Sequence, residues 1–271
     1  MKIFLIIGKS FSGKSYLLNK ILEDKDFCKN NNLERLVEYT TRNPREGEVD
    51  GLDYNFVSNE YFETECVNNP NVVYSKYDTK YGKLYYFLDK SKLNKNKNYI
   101  GVSNTEILEK LKNNKSFKND IKLIYLIPPN YELFSRFSER KENPNYTDNK
   151  YKEIYRRFMD DLVKFGLNSN KYVSGIQSLI LVGKELYLPY VKFCINEIII
   201  MQYKNSIISS LSGGNQEFDY HYTPSSIQSL DSVIDGKINI LNGTIIIDSE
   251  TEKFNIINIH NKTINNNILY I

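Results

Sequence analysis

The sequence predicts an α/β fold built around a parallel sheet. Three apolar runs have the length of buried strands, at residues 2–7, 99–102 and 121–127. A segment with helical spacing follows each run. Because strands that alternate with helices are joined by crossover connections, this order favours a sheet whose central strands are parallel.

The first elements are a strand at residues 2–7 and a helix at 15–22, where apolar residues recur at helical spacing. A short strand is expected at 36–39. The turn-rich stretch TTRNPREGEVDGLDYN at 40–55 is expected to form a loop. The remaining predicted elements are, in order, a helix at 59–67, strands within 72–86, the strand at 99–102, a helix at 106–112, the strand at 121–127, helices at 131–139 and 151–165, a strand at 179–182 and a helix at 185–202.

The last part of the chain differs in character from the rest. Residues 213–271 are rich in Asn, Ile, Ser and Thr, with β-like runs at 238–240 and 244–247. We therefore predict two parts: a main domain at 1–205 and a β-rich C-terminal appendage at 213–271.

Composition excludes several kinds of chemistry and partner. A net charge of +3 is too small to indicate a nucleic-acid partner. The histidines, His221 and His260, both lie in the tail, so catalysis in the first part of the chain cannot rest on histidine. Three widely spaced cysteines form no metal or disulfide pattern. Charged residues interrupt the most apolar segment, 179–201, so we expect a cytoplasmic protein that binds no membrane.

Residues 8–15, GKSFSGKS, match the phosphate-binding pattern G-x-x-x-x-G-K-[ST]. Glycines let the backbone curl so that N–H groups point at phosphate oxygens, and the following helix adds its positive end. Lys14 is expected to reach the β and γ phosphates of ATP, and the Ser15 hydroxyl to hold Mg²⁺. The predicted cofactor-binding residues are Gly8, Ser10, Ser12, Gly13, Lys14 and Ser15. The alternative is a chance match, but the strand before the loop and the helix after it are the context that the motif requires.

Residues 39–58 carry a second signal. Arg42 and Arg45 are separated by three positions with Pro44 between them, a stiff arrangement that can present two guanidinium groups to one phosphate. Tyr54 can donate its hydroxyl to the same group. The alternative is a solvated basic loop beside a core tyrosine.

This segment closely resembles the acceptor-binding signature of guanylate kinases, and it follows the phosphate loop in the same order. The resemblance covers roughly residues 1–200 and implies a three-layer P-loop fold. It also implies an acceptor-binding insert at about 37–90, a lid at about 136–150, and ATP with Mg²⁺. By resemblance, Arg42, Arg45, Tyr54 and Tyr86 bind the acceptor phosphate.

Arginines further along resemble those of the family's lid. Arg136 and Arg140 lie four residues apart and share one face if the helix continues. By resemblance they close over ATP, and Arg157 points at the same centre, with Arg156 as the alternative. The predicted catalytic residues are thus Lys14, Arg136, Arg140 and Arg157. A helix with a solvated basic face is the competing interpretation.

The residues that read the base depart from the family pattern. Glu38 replaces a serine, and the alignment puts Val73 at the position of the usual base-reading glutamate, with Lys76 or Asp78 nearby. Phe87 and Leu88 replace a glycine and a hydroxyl residue. Gly101 and Ser103 replace paired aspartates. Since a carboxylate accepts hydrogen bonds from the guanine edge, Glu38 is a candidate for the missing contact.

These signals predict a nucleoside monophosphate kinase that uses ATP, with GMP or dGMP favoured by resemblance. The alternative is a guanylate-kinase-like binding module with lost or weak catalysis, although such modules commonly lose the phosphate loop. A kinase that acts on a different small acceptor, for example a polynucleotide end, is a third hypothesis, which the acceptor-loop resemblance argues against.

Overall fold

The computed structural model describes residues 1–45, 47–79, 82–141, 148–165, 172, 176, 178–182, 188–189, 191–196, 198–200, 228–229, 244–248 and 253–257. Its largest element is a sheet in the order β10-β12-β11-β9-β8-β1-β7-β2. The strands of its first part are β1 (Ile3–Gly8), β2 (Leu33–Arg35), β7 (Asn98–Val102), β8 (Ile121–Ile127) and β9 (Ser178–Val182). All five run parallel, which confirms the predicted α/β class.

Strand β1 explains why its sequence is apolar throughout. Every residue of β1 is buried, because the strand lies in the middle of the sheet with layers on both faces. Phe4 and Ile6 belong to one apolar cluster, whereas Ile3, Leu5 and Ile7 belong to the cluster on the opposite face. Each of these side chains stabilises the fold by roughly 1.5–3 kcal/mol through burial.

Helices cover the sheet. They are α1 (Lys14–Glu23), α2 (Lys25–Asn30), α4 (Thr105–Asn113), α5 (Asn130–Lys141) and α6 (Asp148–Lys164), with a short α3 (Asn59–Tyr61) that continues as a π-helical turn at Phe62–Cys66. The helices predicted near 15–22, 59–67, 106–112, 131–139 and 151–165 are therefore confirmed. The described residues within 188–200 are also helical, in agreement with the predicted closing helix.

A second sheet, in the order β4-β3-β6-β5, forms a small subdomain. Its strands are β3 (Tyr39–Thr40), β4 (Asn55–Phe56), β5 (Val72–Thr79) and β6 (Gly82–Asp89). The strand predicted at 36–39 is wrong. The chain leaves the main sheet there, since the Leu36 amide still bonds to Ile100 while the Glu38 carbonyl already accepts from Asn55 of the second sheet. The residues between them cross from one sheet to the other.

The described tail residues extend the main sheet. β11 (Thr244–Asp248) pairs parallel with β9, and β12 (Lys253–Ile257) pairs antiparallel with β11 and β10 (Gln228–Ser229). The predicted run at 244–247 is confirmed, whereas the run at 238–240 and the boundary between 205 and 213 lie outside the described residues. Among the described helices, none is long and apolar enough to cross a membrane.

Candidate functional site

The phosphate-binding pattern forms a tight loop between β1 and α1. Gly8 lies where no other residue fits, since a Cβ there would stand 2.6 Å from the Ser12 hydroxyl and 2.8 Å from the Leu126 carbonyl oxygen. Gly13 precedes the first turn of α1 as its N-cap. The loop thus brings its backbone amides to the positive end of a helix, the arrangement that binds phosphate.

Two polar groups of this loop, the Ser12 hydroxyl and the Lys14 ammonium, can donate hydrogen bonds to an anion. Among the described residues, the Ser12 hydroxyl is a buried side-chain group without a hydrogen-bond partner. The Lys14 ammonium donates to the carbonyl oxygens of Gly8 and Lys9, at 2.8 Å each. Burial lowers the pKa of Lys14 to about 8, and the negative charge of Asp161 opposes that shift. A polyphosphate would satisfy the hydroxyl and attract the ammonium.

The donor set also fits a magnesium ion carried by a nucleotide. Ser15 follows Lys14 as the second residue of α1 and is exposed. In the part of the chain that the structure describes, no group of three or more acidic, His or Cys side chains could hold a metal alone. Mg²⁺ is commonly held by few protein ligands together with phosphate oxygens and water, so one hydroxyl is compatible with it.

Phe11, at the tip of the loop, packs against helices α5 and α6. Phe11 adopts a positive φ of 68° and its ring contacts Phe137 of α5 and Phe158 of α6, with centroids 5.7 and 5.8 Å away. Arg136 of α5 donates to the Phe11 carbonyl at 2.9 Å. The structure therefore places this predicted lid arginine at the phosphate loop.

Helix α6 adds a group that the sequence did not reveal. One carboxylate oxygen of Asp161 accepts from both the backbone amide and the hydroxyl of Ser10, at 2.6 Å each. Helix α6 contains several acidic and several basic residues, and no sequence motif distinguishes Asp161 from the others. Arg157 lies one turn earlier on the same helix, and this residue is half-buried.

The predicted acceptor residues form a second cluster on the small subdomain. Arg42 is buried, donates to the Tyr86 hydroxyl at 3.2 Å and lies over the Tyr54 ring, 5.1 Å from its centroid. Tyr54 and Tyr86 pack edge to face at 5.8 Å. Three of the four predicted side chains therefore come together, whereas Arg45 is exposed.

The carboxylate of Glu48 binds the guanidinium group of Arg42. Its two carboxylate oxygens accept from the two terminal guanidinium nitrogens at 2.6 and 2.7 Å. The same carboxylate accepts from the Arg45 amide at 2.8 Å, and hydrogen bonding to Arg42 lowers the pKa of Glu48. Sequence reasoning assigned no role to Glu48, although it lies within the motif. It fixes the orientation of Arg42 towards Tyr54 and Tyr86.

Glu38 and Ser103 form a buried polar pair. The Ser103 hydroxyl donates to the Glu38 carboxylate at 2.7 Å, and both residues are buried. Burial raises the pKa of Glu38 from 4.5 to about 7, although the Ser103 hydrogen bond opposes the shift. Two of the positions that depart from the family pattern are thus in contact.

This pKa gives a pH dependence of stability. Because the folded-state pKa of Glu38 is raised, its contribution is fully present below pH 4.5 and is lost as pH rises through 7. The loss amounts to about 3 kcal/mol at most. We expect Glu38→Gln to remove this dependence, so that the variant is the more stable form at pH 8, as measured by urea unfolding across pH.

The matched control is Glu34→Gln, which removes an exposed carboxylate that pairs with Lys97. We expect it to leave the pH profile of the wild-type chain unchanged. A Glu38→Gln profile parallel to that of the wild-type chain would show that Glu38 does not titrate in this range.

The other departures are explained by packing. Val73 belongs to the apolar cluster that contains Leu88, and Phe87 stacks on Tyr39 at 5.0 Å, so these side chains belong to the core. A Cβ at Gly101 would stand 2.9 Å from the Leu36 carbonyl oxygen, which leaves no room for an aspartate. Lys76 and Asp78 form an exposed ion pair.

A cavity of about 490 Å³ joins the two sheets. Gly8, Lys14 and Asp161 line it on the side of the phosphate loop, and Ser103 and Tyr77 line it towards the small subdomain. Tyr77 packs edge to face on Tyr86, with centroids 5.5 Å apart. Arg42 and Arg45 are not among the described lining residues, so Tyr77 and Tyr86 connect the cavity to the Arg42 cluster.

Helix α5 continues to Lys141, so Arg136 and Arg140 lie on one helix, as the prediction of a shared face requires. The side chain of Arg140 is outside the described part of the structure. The same holds for residues 142–147 of the predicted lid. The phosphate-neutralising roles of Lys14, Arg136, Arg140 and Arg157 all stay predictions.

Comparison with known proteins points to one family. The family model for guanylate kinase matches residues 1–86. Guanylate kinase from Mesoplasma florum is 36% identical over 141 residues, which cover 51% of this chain and 45% of that protein. Guanylate kinase from Histophilus somni is 34% identical over 137 residues, 49% of this chain and 62% of that protein.

A third relative aligns over most of its length. Guanylate kinase from Mycoplasmoides gallisepticum is 30% identical over 185 residues, which cover 66% of this chain and 91% of that protein. Among solved structures, the guanylate kinase from Anaplasma phagocytophilum has a TM-score of 0.44 at 20% identity, covering 74% of this chain and 86% of that one.

Proposed function

This chain belongs to the guanylate kinase family, and from that premise we propose that it transfers the γ-phosphoryl group of ATP to a nucleoside monophosphate. The observation that carries the proposal is the cavity that Lys14 shares with Tyr77 and Ser103. It gives two phosphorylated ligands a common space between the phosphate loop and the small subdomain. The cytoplasmic location expected from the sequence stays a prediction.

The reaction is an in-line transfer without a covalent enzyme intermediate. The acceptor is itself an anionic phosphate, so the protein needs to supply positioning and charge neutralisation more than proton transfer. Lys14, Arg136, Arg140 and Arg157 neutralise the migrating group. Arg42, Arg45, Tyr54 and Tyr86 orient the acceptor. Ser15 would hold a Mg²⁺ ion that arrives with the nucleotide, and such an ion would add positive charge at the phosphates.

An ADP-release assay with a panel of monophosphates tests this function. We expect ADP to form from ATP only when a nucleoside monophosphate is present, because closure of the lid excludes water. No turnover with GMP, dGMP, AMP, dTMP or dCMP would instead support the binding-module alternative, which the intact Lys14 loop does not favour.

We propose that the acceptor site prefers guanine, and Glu38 is the residue that supports this choice. Glu38, when ionised, can accept from the two adjacent donors of the guanine edge, and Ser103 fixes one of its oxygens. Adenine presents a different edge, so a buried carboxylate there would be left without one of its donors. We therefore propose GMP or dGMP as the acceptor.

Replacement of Glu38 by glutamine tests this assignment. The amide puts a donor where guanine also donates, so we expect the ratio of kcat/KM for GMP to that for AMP to fall about thirtyfold. Because only the ionised carboxylate accepts both bonds, the wild-type KM for GMP should fall as pH rises through 7, and the variant should show no such change. Glu34→Gln is the control, and an unchanged GMP/AMP ratio in Glu38→Gln would contradict the assignment.

A further inference from the structure

A carboxylate from helix α6 binds to the phosphate loop. Asp161 places one carboxylate oxygen within 2.6 Å of both the Ser10 amide nitrogen and the Ser10 hydroxyl. Its negative charge also acts on Lys9 and Lys14, the two lysines of the loop. These are the kinds of group that a loop of this type offers to a phosphate, namely a backbone amide, a hydroxyl and an ammonium.

A carboxylate in this position and a donor polyphosphate compete for the same partners. Hydrogen bonds from neutral donors to a charged oxygen are among the stronger ones in proteins, so their loss has a measurable cost. A polyphosphate that entered the loop would also bring several negative charges close to Asp161. Both effects oppose donor binding while the aspartate remains in place.

We propose that Asp161 is a displaceable stand-in for the donor phosphate and thereby sets the affinity of the chain for ATP. In the structure its carboxylate accepts both hydrogen bonds from Ser10. When ATP binds, the phosphate takes over the Ser10 contacts and the aspartate withdraws. The proposal rests on the proposed function, because it requires ATP to bind this loop.

The position of Asp161 on α6 gives its withdrawal a consequence. Arg157 lies four residues earlier and so on the same face of the helix. Displacement of Asp161 would therefore free the same helix face that carries a predicted phosphate-neutralising arginine. Withdrawal of Asp161 and the action of Arg157 would then take place on one face of α6.

Calorimetric titration with Mg²⁺–ATP in the absence of acceptor tests the proposal. We expect Asp161→Ala to bind ATP about tenfold more tightly than the wild-type chain. Asp161→Asn keeps an acceptor oxygen without the charge and should lie between the two. The KM for GMP should change much less than the affinity for ATP, since Asp161 bonds to Ser10 of the phosphate loop and not to the Arg42 cluster in the described structure.

Asp160 offers a matched control one residue away. It forms an exposed i,i+4 ion pair with Arg156 at 2.6 Å, so Asp160→Asn makes the same change of net charge on the same helix. We expect it to leave ATP affinity unchanged. If Asp160→Asn tightens ATP binding as much as Asp161→Asn, long-range charge explains the effect and the proposal is overturned.

The remaining outcomes separate this proposal from the proposed function. Equal or weaker ATP binding in Asp161→Ala and Asp161→Asn, with normal binding in the wild-type chain, overturns the stand-in role alone. Failure of the wild-type chain and every variant to bind ATP overturns both. Should Asp161→Ala fold poorly, as judged by near-ultraviolet circular dichroism, the near-isosteric Asp161→Asn provides the comparison.

Discussion

Lys14→Met is expected to lower kcat for phosphoryl transfer about a thousandfold or more. The ammonium is the charged group at the centre of the phosphate loop, and it now rests on the carbonyl oxygens of Gly8 and Lys9. A group that stabilises developing charge in an enclosed site contributes far more than it would in water. The ADP-release assay with GMP measures the loss directly.

The fold should survive this substitution, because methionine has a similar length and burying an ammonium already has a cost, as the lowered pKa of Lys14 shows. Lys9→Met is the matched control in the same loop. Lys9 donates to Asn130 at an exposed position, so its loss should have a much smaller effect. Retention of activity by a folded Lys14→Met variant would remove the loop from the mechanism.

Arg42→Lys is expected to raise the KM for the acceptor about a hundredfold while leaving the KM for ATP unchanged. Lysine keeps the charge but loses the planar fork, which here makes two bonds to Glu48 and one to Tyr86. An acceptor phosphate would meet a single ammonium that nothing holds in place. Initial-rate measurements with each substrate varied in turn separate the two KM values.

Arg35→Lys provides the comparison for Arg42→Lys. Arg35 donates to Asn19 at an exposed position on β2, away from the small subdomain, so the same chemical change should leave both KM values as they are. An Arg42→Lys variant with a normal acceptor KM, or with a raised KM for ATP instead, would show that Arg42 does not hold the acceptor.

The central strands of the main sheet could be predicted because they are apolar on both faces. β1 illustrates this, since all six of its residues are buried. Helix α2 was missed for the opposite reason. None of its residues at Lys25–Asn30 is buried, so its sequence has no apolar periodicity to detect. The incorrect prediction of a strand at 36–39 has a third cause. The chain crosses there from the main sheet to the second sheet, and this crossing depends on tertiary contacts that the local sequence pattern does not encode.

In the candidate site, too, local sequence features could be predicted and contacts between distant residues could not. The phosphate loop depends on glycine positions and spacing, which the sequence displays directly. The contact between Asp161 and Ser10 joins residues 151 positions apart, and the Glu38–Ser103 bond joins residues 65 apart. Neither pair has a sequence signature. The alignment puts Val73 at the base-reading position and Phe87 at a glycine position, but the side chains of both are buried in the apolar core.

Binding of a bisubstrate analogue, in which a polyphosphate chain joins adenosine to guanosine, tests the central claim most directly. If the phosphate loop and the Arg42 cluster hold two polyanions side by side, the analogue should bind at least about a hundredfold more tightly than ATP. Lys14→Met and Arg42→Lys should each abolish that advantage. An analogue that binds the wild-type chain no more tightly than ATP would contradict the account, because it would place the two anion sites too far apart for direct transfer.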